Sequence, residues 1–334
     1  MTPEFSNFRV SPSSINTSTQ TTRLSTKSPR RRSTKSKSLM MRGSATHANL
    51  NERNFSKISY ILSQLSHDEL ETAARASYEY LKAPFPPQRN HYARRIVQRY
   101  LDSKKGKVDL ALEKVKKTLK FRRDMKIDDL ITAFDHCNEN DGTDMPETAV
   151  QLEKHLSNKQ YFVQGRDNEG RSTLFFIPRL VNGHDNEWTI KEAIYSIERA
   201  IACSRAKDQT INAVVDFSGF SMTKHSPPVE IGKQFLTTLR SHYAGQIHHI
   251  YLTDTPFSFS LLWNVFSPFV GTSTREKIKF INGARTKERE LLQIYDAEEV
   301  PAWLISGGKN NRPLDVNEYL HELSFDQTFN EQIL

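Results

Sequence analysis

Five short runs rich in β-branched and aromatic residues punctuate the second half of this 334-residue chain, at 160–164, 172–177, 211–217, 247–253 and 277–281. Helix-length segments separate the later runs. One carries Ile190, Ile194, Ile197 and Ile201 on a single face, and another covers 229–242. Strands spaced by helices of that length form parallel βαβ units with right-handed crossovers. The first two runs lie closer together, joined by Gly165-Arg166-Asp167-Asn168-Glu169-Gly170-Arg171, which reads as a hairpin turn. The pattern specifies an α/β fold with a mixed, mostly parallel sheet.

Ahead of the sheet the period is helical. Ile58, Ile61, Leu62 and Leu65 share one helix face. Ser66-His67-Asp68-Glu69 forms a capping box, Ser66 capping a backbone N–H while Glu69 reaches back. The helix behind it carries Leu70, Ala73, Ala74, Ser77 and Leu81 and should stop before Pro84, where Pro84-Phe85-Pro86-Pro87 makes a stiff break. A second pair follows, with Ile96, Val97, Tyr100 and Leu101, then Val108, Ala111, Leu112, Val115 and Leu119. Residues 55–140 thus read as a small helical bundle with a basic, solvated outer face.

The net charge of +8 points to nucleic acid or a membrane surface until it is divided. Residues 1–50 hold nine Lys/Arg against the single acid Glu4, and residues 51–334 hold 38 of each sign. A nucleic-acid-binding domain would carry its own basic face, so that partner class is excluded. The first 50 residues also contain nineteen Ser/Thr and few large apolar side chains, a composition that predicts a disordered tail over 1–54. Its Arg- and Ser-rich, acid-poor composition suits an organelle transit peptide, and Arg30-Arg31-Arg32-Ser33 suits anionic lipid, a nuclear-import receptor or a basophilic kinase, beside an unselected solvated tail.

The run 255–274 has no charged residue over twenty positions, in a chain that is 26% charged. Phe257, Leu261, Leu262, Val265 and Phe269 fall on one helical side, and Phe259, Trp263 and Phe266 on the other. A helix apolar all round is buried on every side or faces lipid. Pro256 and Pro268 bracket about eleven residues, too few to cross a bilayer. The segment is therefore a core helix or a cover over an apolar cavity that also touches a membrane.

Catalytic patterns are missing. The chain has no G-x-x-x-x-G-K-[ST] loop and no G-x-G-x-x-G. Asp216-Phe217-Ser218-Gly219-Phe220-Ser221 ends a strand in small residues but lacks the G-x-S-x-G frame, leaving Ser218 or Ser221 the only hydrolase reading. His225, His242, His248 and His249 match no metal spacing, so no metal and no cofactor is expected. Two cysteines, Cys137 and Cys203, predict a reduced, intracellular chain without a disulfide framework. There is neither a spanning apolar run nor an apolar leader.

In this order the segments resemble the CRAL-TRIO lipid-binding family, which includes the phosphatidylinositol/phosphatidylcholine transfer proteins. The resemblance covers about 90–307 and rests on Tyr100-Leu101 through Lys104-Lys105, Thr118-Leu119-Lys120-Phe121-Arg122, Gly165-x-Asp167-x-x-Gly170-Arg171, Val215-Asp216-Phe217-Ser218-Gly219, Thr255-Pro256-Phe257 and Pro268-Phe269 with Thr274 and Lys277-Ile278 following. It implies an N-terminal helical module over 55–140, a lipid-binding domain over 150–310 with an apolar gate helix, and a C-terminal tail over 311–334.

The resemblance further implies a non-enzymatic, monomeric lipid carrier that is cytoplasmic and peripheral at membranes, holding one lipid and touching the membrane transiently. An organelle address through the basic tail is the alternative location. Phe175, Ile177, Val214, Tyr251, Phe257, Leu261, Trp263 and Val265 are the implied pocket and gate residues. Lys104, Lys105, Lys277 and Tyr243 are the implied headgroup residues. Where the family has Tyr-Pro-Glu-Arg this chain has Tyr243-Ala244-Gly245-Gln246, and Ile211 and Ala213 replace the hydroxyls that meet a choline phosphate. A phosphoinositide is thus favoured over phosphatidylcholine, with a tocopherol- or retinoid-like molecule or a sterol as other ligands. The rival function is a lipid-sensing module that presents its lipid to a partner protein.

Overall fold

Each of the five β-rich runs becomes a strand in the computed structural model, which describes residues 53–83, 88–135, 145–181, 185–226, 228–329 and 331. The basic tail, the Pro84-Phe85-Pro86-Pro87 break and Cys137 lie outside the described residues. The strands are β1 (Tyr161–Arg166), β2 (Ser172–Phe176), β3 (Ile211–Asp216), β4 (Ile247–Thr253) and β5 (Ile278–Ile281). They lie side by side in chain order, β1 antiparallel to β2 and the remaining pairs parallel. The mixed, mostly parallel sheet is as the alternation of elements requires.

The β1–β2 turn is built by its polar residues. The Asp167 carboxylate accepts from the backbone N–H groups of Glu169 (3.0 Å) and Arg171 (2.9 Å) and from Asn212 Nδ2 (2.8 Å). Gly165 has φ +69°, and a Cβ there would stand 2.3 Å from the Glu299 carbonyl oxygen, so only glycine fits.

The helical elements are α1 (53–63), α2 (His67–Arg75), α3 (Tyr78–Leu81), α4 (Arg89–Ser103), α5 (Val108–Asp124), α6 (Ile127–Ile131), α7 (Glu147–Leu156), α8 (Asn186–Cys203), α9 (Met222–His225), α10 (Val229–His242), α11 (Phe259–Phe266), α12 (Thr272–Arg275) and α13 (Ala284–Leu291). The capping box at Ser66 and Glu69 is formed in both directions. The helix expected to run on to Pro84 is broken at Ser77, whose extended backbone turns Tyr78 inward to donate from its hydroxyl to Asp135 (3.1 Å). Ile58, Ile61, Leu65, Ile96, Tyr100, Val115 and Leu119 form the core of this helical module.

Residues expected as a C-terminal tail are instead packed. Tyr319, Leu320, Leu323, Phe325 and Phe329 are buried. Val163 N–H donates to the Tyr319 hydroxyl (3.0 Å) and its carbonyl accepts from Phe329 N–H (3.1 Å), which occupies the free edge of β1.

Helix α8 lies at the centre, with nine consecutive residues, 192–200, all buried. Three of them carry a carboxyl or guanidinium group. Glu198 accepts from Arg122 Nη1 (2.6 Å) and from the Tyr243 hydroxyl (2.8 Å). Arg199 lays its guanidinium 3.8 Å from the Tyr319 ring centroid and donates to the Tyr195 hydroxyl (3.2 Å). Glu192 accepts from Gln160 Nε2 (2.7 Å) and lies 3.7 Å from His155 Nδ1. Burial pushes the Glu192 carboxyl up to about 8.

A raised carboxyl is protonated in the folded chain and ionised in the unfolded one, so stability falls as pH rises from about 4.5 to about 8. The expected slope from this group is about 1.4 kcal/mol per pH unit within that window. Glu192→Gln, which keeps the shape and removes the titration, should flatten it. Urea denaturation midpoints at pH 5, 6, 7 and 8 test this, and equal slopes in the two proteins would contradict it.

Candidate functional site

The two faces of the sheet are treated differently. Thr173, Phe175, Asn212, Val214, Asp216, Tyr251 and Thr253 share one face by strand alternation and register, and all are buried. The segment from α13 to 305 seals this face. Thr173 donates to the Tyr295 hydroxyl (2.9 Å), and the Phe175 ring stands 5.7 Å from that of Trp303. Between Thr173, Phe175 and Val214 on one side and Leu291, Tyr295 and Leu304 on the other, only about 10 Å³ remains, about one water.

On the opposite face, Ala213, Val215, Ile250, Ile278 and Phe176 are half-buried and Phe280 is 50% exposed. A central parallel strand is ordinarily covered on both sides. β3 instead alternates between buried and half-open positions along its length. Helices do lie over this face: Phe235 and Leu239 of α10 pack on the cluster containing Leu174 and Ile197, and Phe259 of α11 meets Phe217 (5.0 Å between centroids) and Phe280 (5.8 Å). Yet α10 buries only Ile231, and α11 buries none of its eight residues. The amphipathic α10 and the apolar α11 thus leave the middle of this sheet face only half covered.

Helix α11 divides its apolar residues between two sides. Trp263 faces inward, its ring 5.9 Å from that of Phe280. Phe257 is fully exposed, and Leu261 and Val265 follow at four-residue steps, 62% and 43% exposed. These three form an apolar stripe in water, and Phe257 stands in the loop just ahead of the helix. The end of α11 rests on α10 at one point: a Cβ added at Gly232 would lie 2.4 Å from Phe266 Cε1.

The sequence expectation for the pocket names Phe175, Val214 and Tyr251. They point to the sealed face, and Ile177 is likewise closed in the core. Strand alternation carries the open face to Ala213, Val215 and Ile250 instead. Sequence could have found this set as the odd positions of β3, once Asp167 had been paired with Asn212 on the even side.

Tyr243, expected as a headgroup residue, is buried with its hydroxyl committed to Glu198. Lys277 is half-buried and donates to the Ile247 carbonyl (2.5 Å), and burial holds its ammonium below the ordinary lysine range. Lys104 is half-buried and Lys105 exposed, at the turn after α4. Burial and the neighbouring cations Lys104, Lys117 and Arg240 depress the nearby Lys114, which marks a patch of like charge.

Polar groups at the C-terminal end of β3 are structural. Asp216 accepts from Arg179 Nη1 (2.7 Å), from Ser218 Oγ (2.5 Å) and from Thr253 Oγ1 (3.2 Å), fixing the Ser218–Gly219 turn. His242 stacks on Phe121 with centroids 4.0 Å apart, and burial pushes it down to about 4. His225 Nδ1 accepts the backbone N–H of Ser221 (2.9 Å).

The Gly232 contact generates a prediction. Overpacking a tight contact costs about 1–3 kcal/mol, so Gly232→Leu should lift α11 and speed amide exchange over 259–269 about tenfold or more. Hydrogen-exchange mass spectrometry measures this; unchanged exchange there would show that the glycine does not seat the helix.

Comparison with known proteins agrees with this geometry. A family model described as CRAL/TRIO domain matches residues 156–304. The chain is 26% identical over 187 residues to a CRAL-TRIO domain-containing protein of Schizosaccharomyces pombe, covering 56% of this chain and 17% of that one. It is 26% identical to the SEC14 cytosolic factor of Candida glabrata, covering 64% and 69% respectively, and 22% identical to the phosphatidylinositol transfer protein PDR17 of Saccharomyces cerevisiae, covering 56% and 52%. The chain thus spans about a sixth of the first relative and half to two-thirds of the others. In fold it is similar to the crystal structure of Sfh5, with a TM-score of 0.56 at 12% identity over 82% of this chain and 94% of that one. The open-faced sheet and the helices above it fall within residues 156–304, the stretch that the CRAL/TRIO domain model matches.

Proposed function

We propose that this chain is a non-enzymatic lipid carrier that holds one lipid in the apolar cleft between the open sheet face and helices α10 and α11, and exchanges it at membrane surfaces. The observation that carries the reading is the half-exposure of Ala213, Val215 and Ile250 in the middle of a parallel sheet that has an amphipathic and an apolar helix above it. An acyl chain filling that space gains roughly 0.8 kcal/mol per buried CH₂, and needs few polar contacts to be held. The relatives named as a SEC14 cytosolic factor and a phosphatidylinositol transfer protein support the same class of ligand.

In this reading α11 is the gate. Its outward stripe of Phe257, Leu261 and Val265 enters the membrane interface while Trp263 and Phe259 turn toward the cleft. Moving a lipid from bilayer to cleft replaces one apolar environment by another, so the gate lowers a barrier more than it changes an equilibrium. Lys104 and Lys105, beside Lys114 and Arg240, supply the positive charge for an anionic headgroup such as a phosphoinositide's. Lys277 adds to the site only after releasing the Ile247 carbonyl.

Transfer of fluorescent phosphatidylinositol between vesicles tests the proposal. Phe257→Glu with Leu261→Glu places two charges on an exposed stripe, so unfolding should be unchanged while transfer slows at least about tenfold, each charge opposing insertion by roughly 1 kcal/mol or more. Transfer at the native rate in the double variant would remove α11 from the membrane contact. A native chain that takes up one lipid but moves none between vesicles would favour the sensing module.

A further inference from the structure

A second cavity, of about 420 Å³, opens between the helical module and the connection from α8 to β3, and falls in the range of small-molecule sites (~300–1,000 Å³). Residues of the open sheet face do not contribute to it. Its wall carries four cations, Arg95, Arg99, Arg205 and Lys207, and three acids, Glu79, Glu198 and Asp326. Each acid already has a cation. Arg95 pairs with Glu79 (2.9 Å), Lys82 with Asp326 (2.5 Å) and Arg122 with Glu198 (2.6 Å). Among the described residues Arg99, Arg205 and Lys207 have no carboxylate partner within ion-pair distance. Asp208, the next residue along, is turned to Thr210 and Arg171.

Arg99 is the informative one. Its Nε is shielded from solvent and lacks a hydrogen-bond acceptor. Its side chain lies against Gly245, where an added Cβ would meet Arg99 Cγ at 3.3 Å, so the 243–246 loop offers it only a glycine and the Gln246 amide. The charge of Glu198 reaches Arg99, but that carboxylate is already bonded to Arg122 and Tyr243, and a shielded guanidinium nitrogen without an acceptor is a cost that an arriving anion recovers. Arg205 spends its donors on the Ala202 and Asp326 carbonyls, and both it and Lys207 stand exposed at the rim. One sheltered guanidinium behind two exposed cations is an arrangement for multiply charged anions, with the planar fork suited to phosphate.

We propose that this cavity is a second ligand site, separate from the lipid cleft, that binds a small molecule or headgroup bearing two or more phosphate groups, with Arg99 at its floor and Arg205 and Lys207 at its rim. Such a ligand bridges the helical module to the α8–β3 connection and so couples its concentration to the stability of the domain that carries the cleft.

The test uses the full chain and two probes. Calorimetric titration with inositol hexakisphosphate reads the soluble source, and flotation with phosphatidylcholine vesicles with and without phosphatidylinositol 4,5-bisphosphate reads the membrane source. Saturable one-to-one binding to either probe is expected. It should weaken at least about tenfold in Arg205→Glu with Lys207→Glu, which are exposed and leave folding intact, and again in Arg99→Gln. Binding of the soluble probe alone assigns a free phosphate compound, and binding only to the bisphosphate vesicles assigns a headgroup. No saturable binding of either, an unaffected rim variant, or a loss produced by Lys104→Glu with Lys105→Glu instead of the rim pair would overturn the proposal.

Discussion

The structure depends on the unequal treatment of one sheet's two faces. On the sealed side the side chains of β2, β3 and β4 interlock with α13 and the residues up to 305, and the residual gap is about one water in size. On the other side the same strands bury Leu174 and Ile211 under α8 and α10 but leave Ala213, Val215 and Ile250 only half covered. Close packing is the ordinary state of a protein interior, and apolar surface held apart in water is unfavourable by roughly 25 cal/mol per Å². The sealed face must therefore carry the stability of the domain, which leaves the open face available for a ligand.

Stability is also supplied from the centre outward by α8. Burying Glu192, Glu198 and Arg199 in one helix is expensive unless each is matched, and each is matched differently. Glu198 takes a guanidinium from α5 and a hydroxyl from the residue after α10, so it ties the helical module to the end of α10. Arg199 rests on aromatic rings from the C-terminal segment, which in turn pairs with the edge of β1. Helix α10 is thus tied to this frame at one end, through Tyr243, and meets α11 near the other, at Gly232.

Much of this was legible in the residues. All five strands, the capping box at Ser66 and the helix Val229–His242 follow from period and cap chemistry, and the charge-free run marks the helix that the fold leaves unburied. What periodicity cannot supply is which side of a strand is sealed. A parallel strand reads as a continuous apolar run on both faces, so Val214 and Val215 are equivalent in sequence and opposite in the fold. Tyr243 can be read either way for a related reason: a tyrosine that hydrogen-bonds a buried carboxylate resembles, in sequence, one that faces a ligand. The break at Ser77 and the docking of 314–329 both depend on distant partners, Asp135 and Val163, that local pattern does not register.

The measurement that bears most directly on the central claim is the lipid content, by mass spectrometry, of the purified full chain and of two single variants, Val215→Trp on the open face and Val214→Ala on the sealed face. The account predicts a stoichiometric lipid in the native chain, its loss from Val215→Trp in a protein that remains folded, and a retained lipid in Val214→Ala despite lower stability. Undiminished lipid in Val215→Trp, or a native chain that takes up none from vesicles, would contradict it.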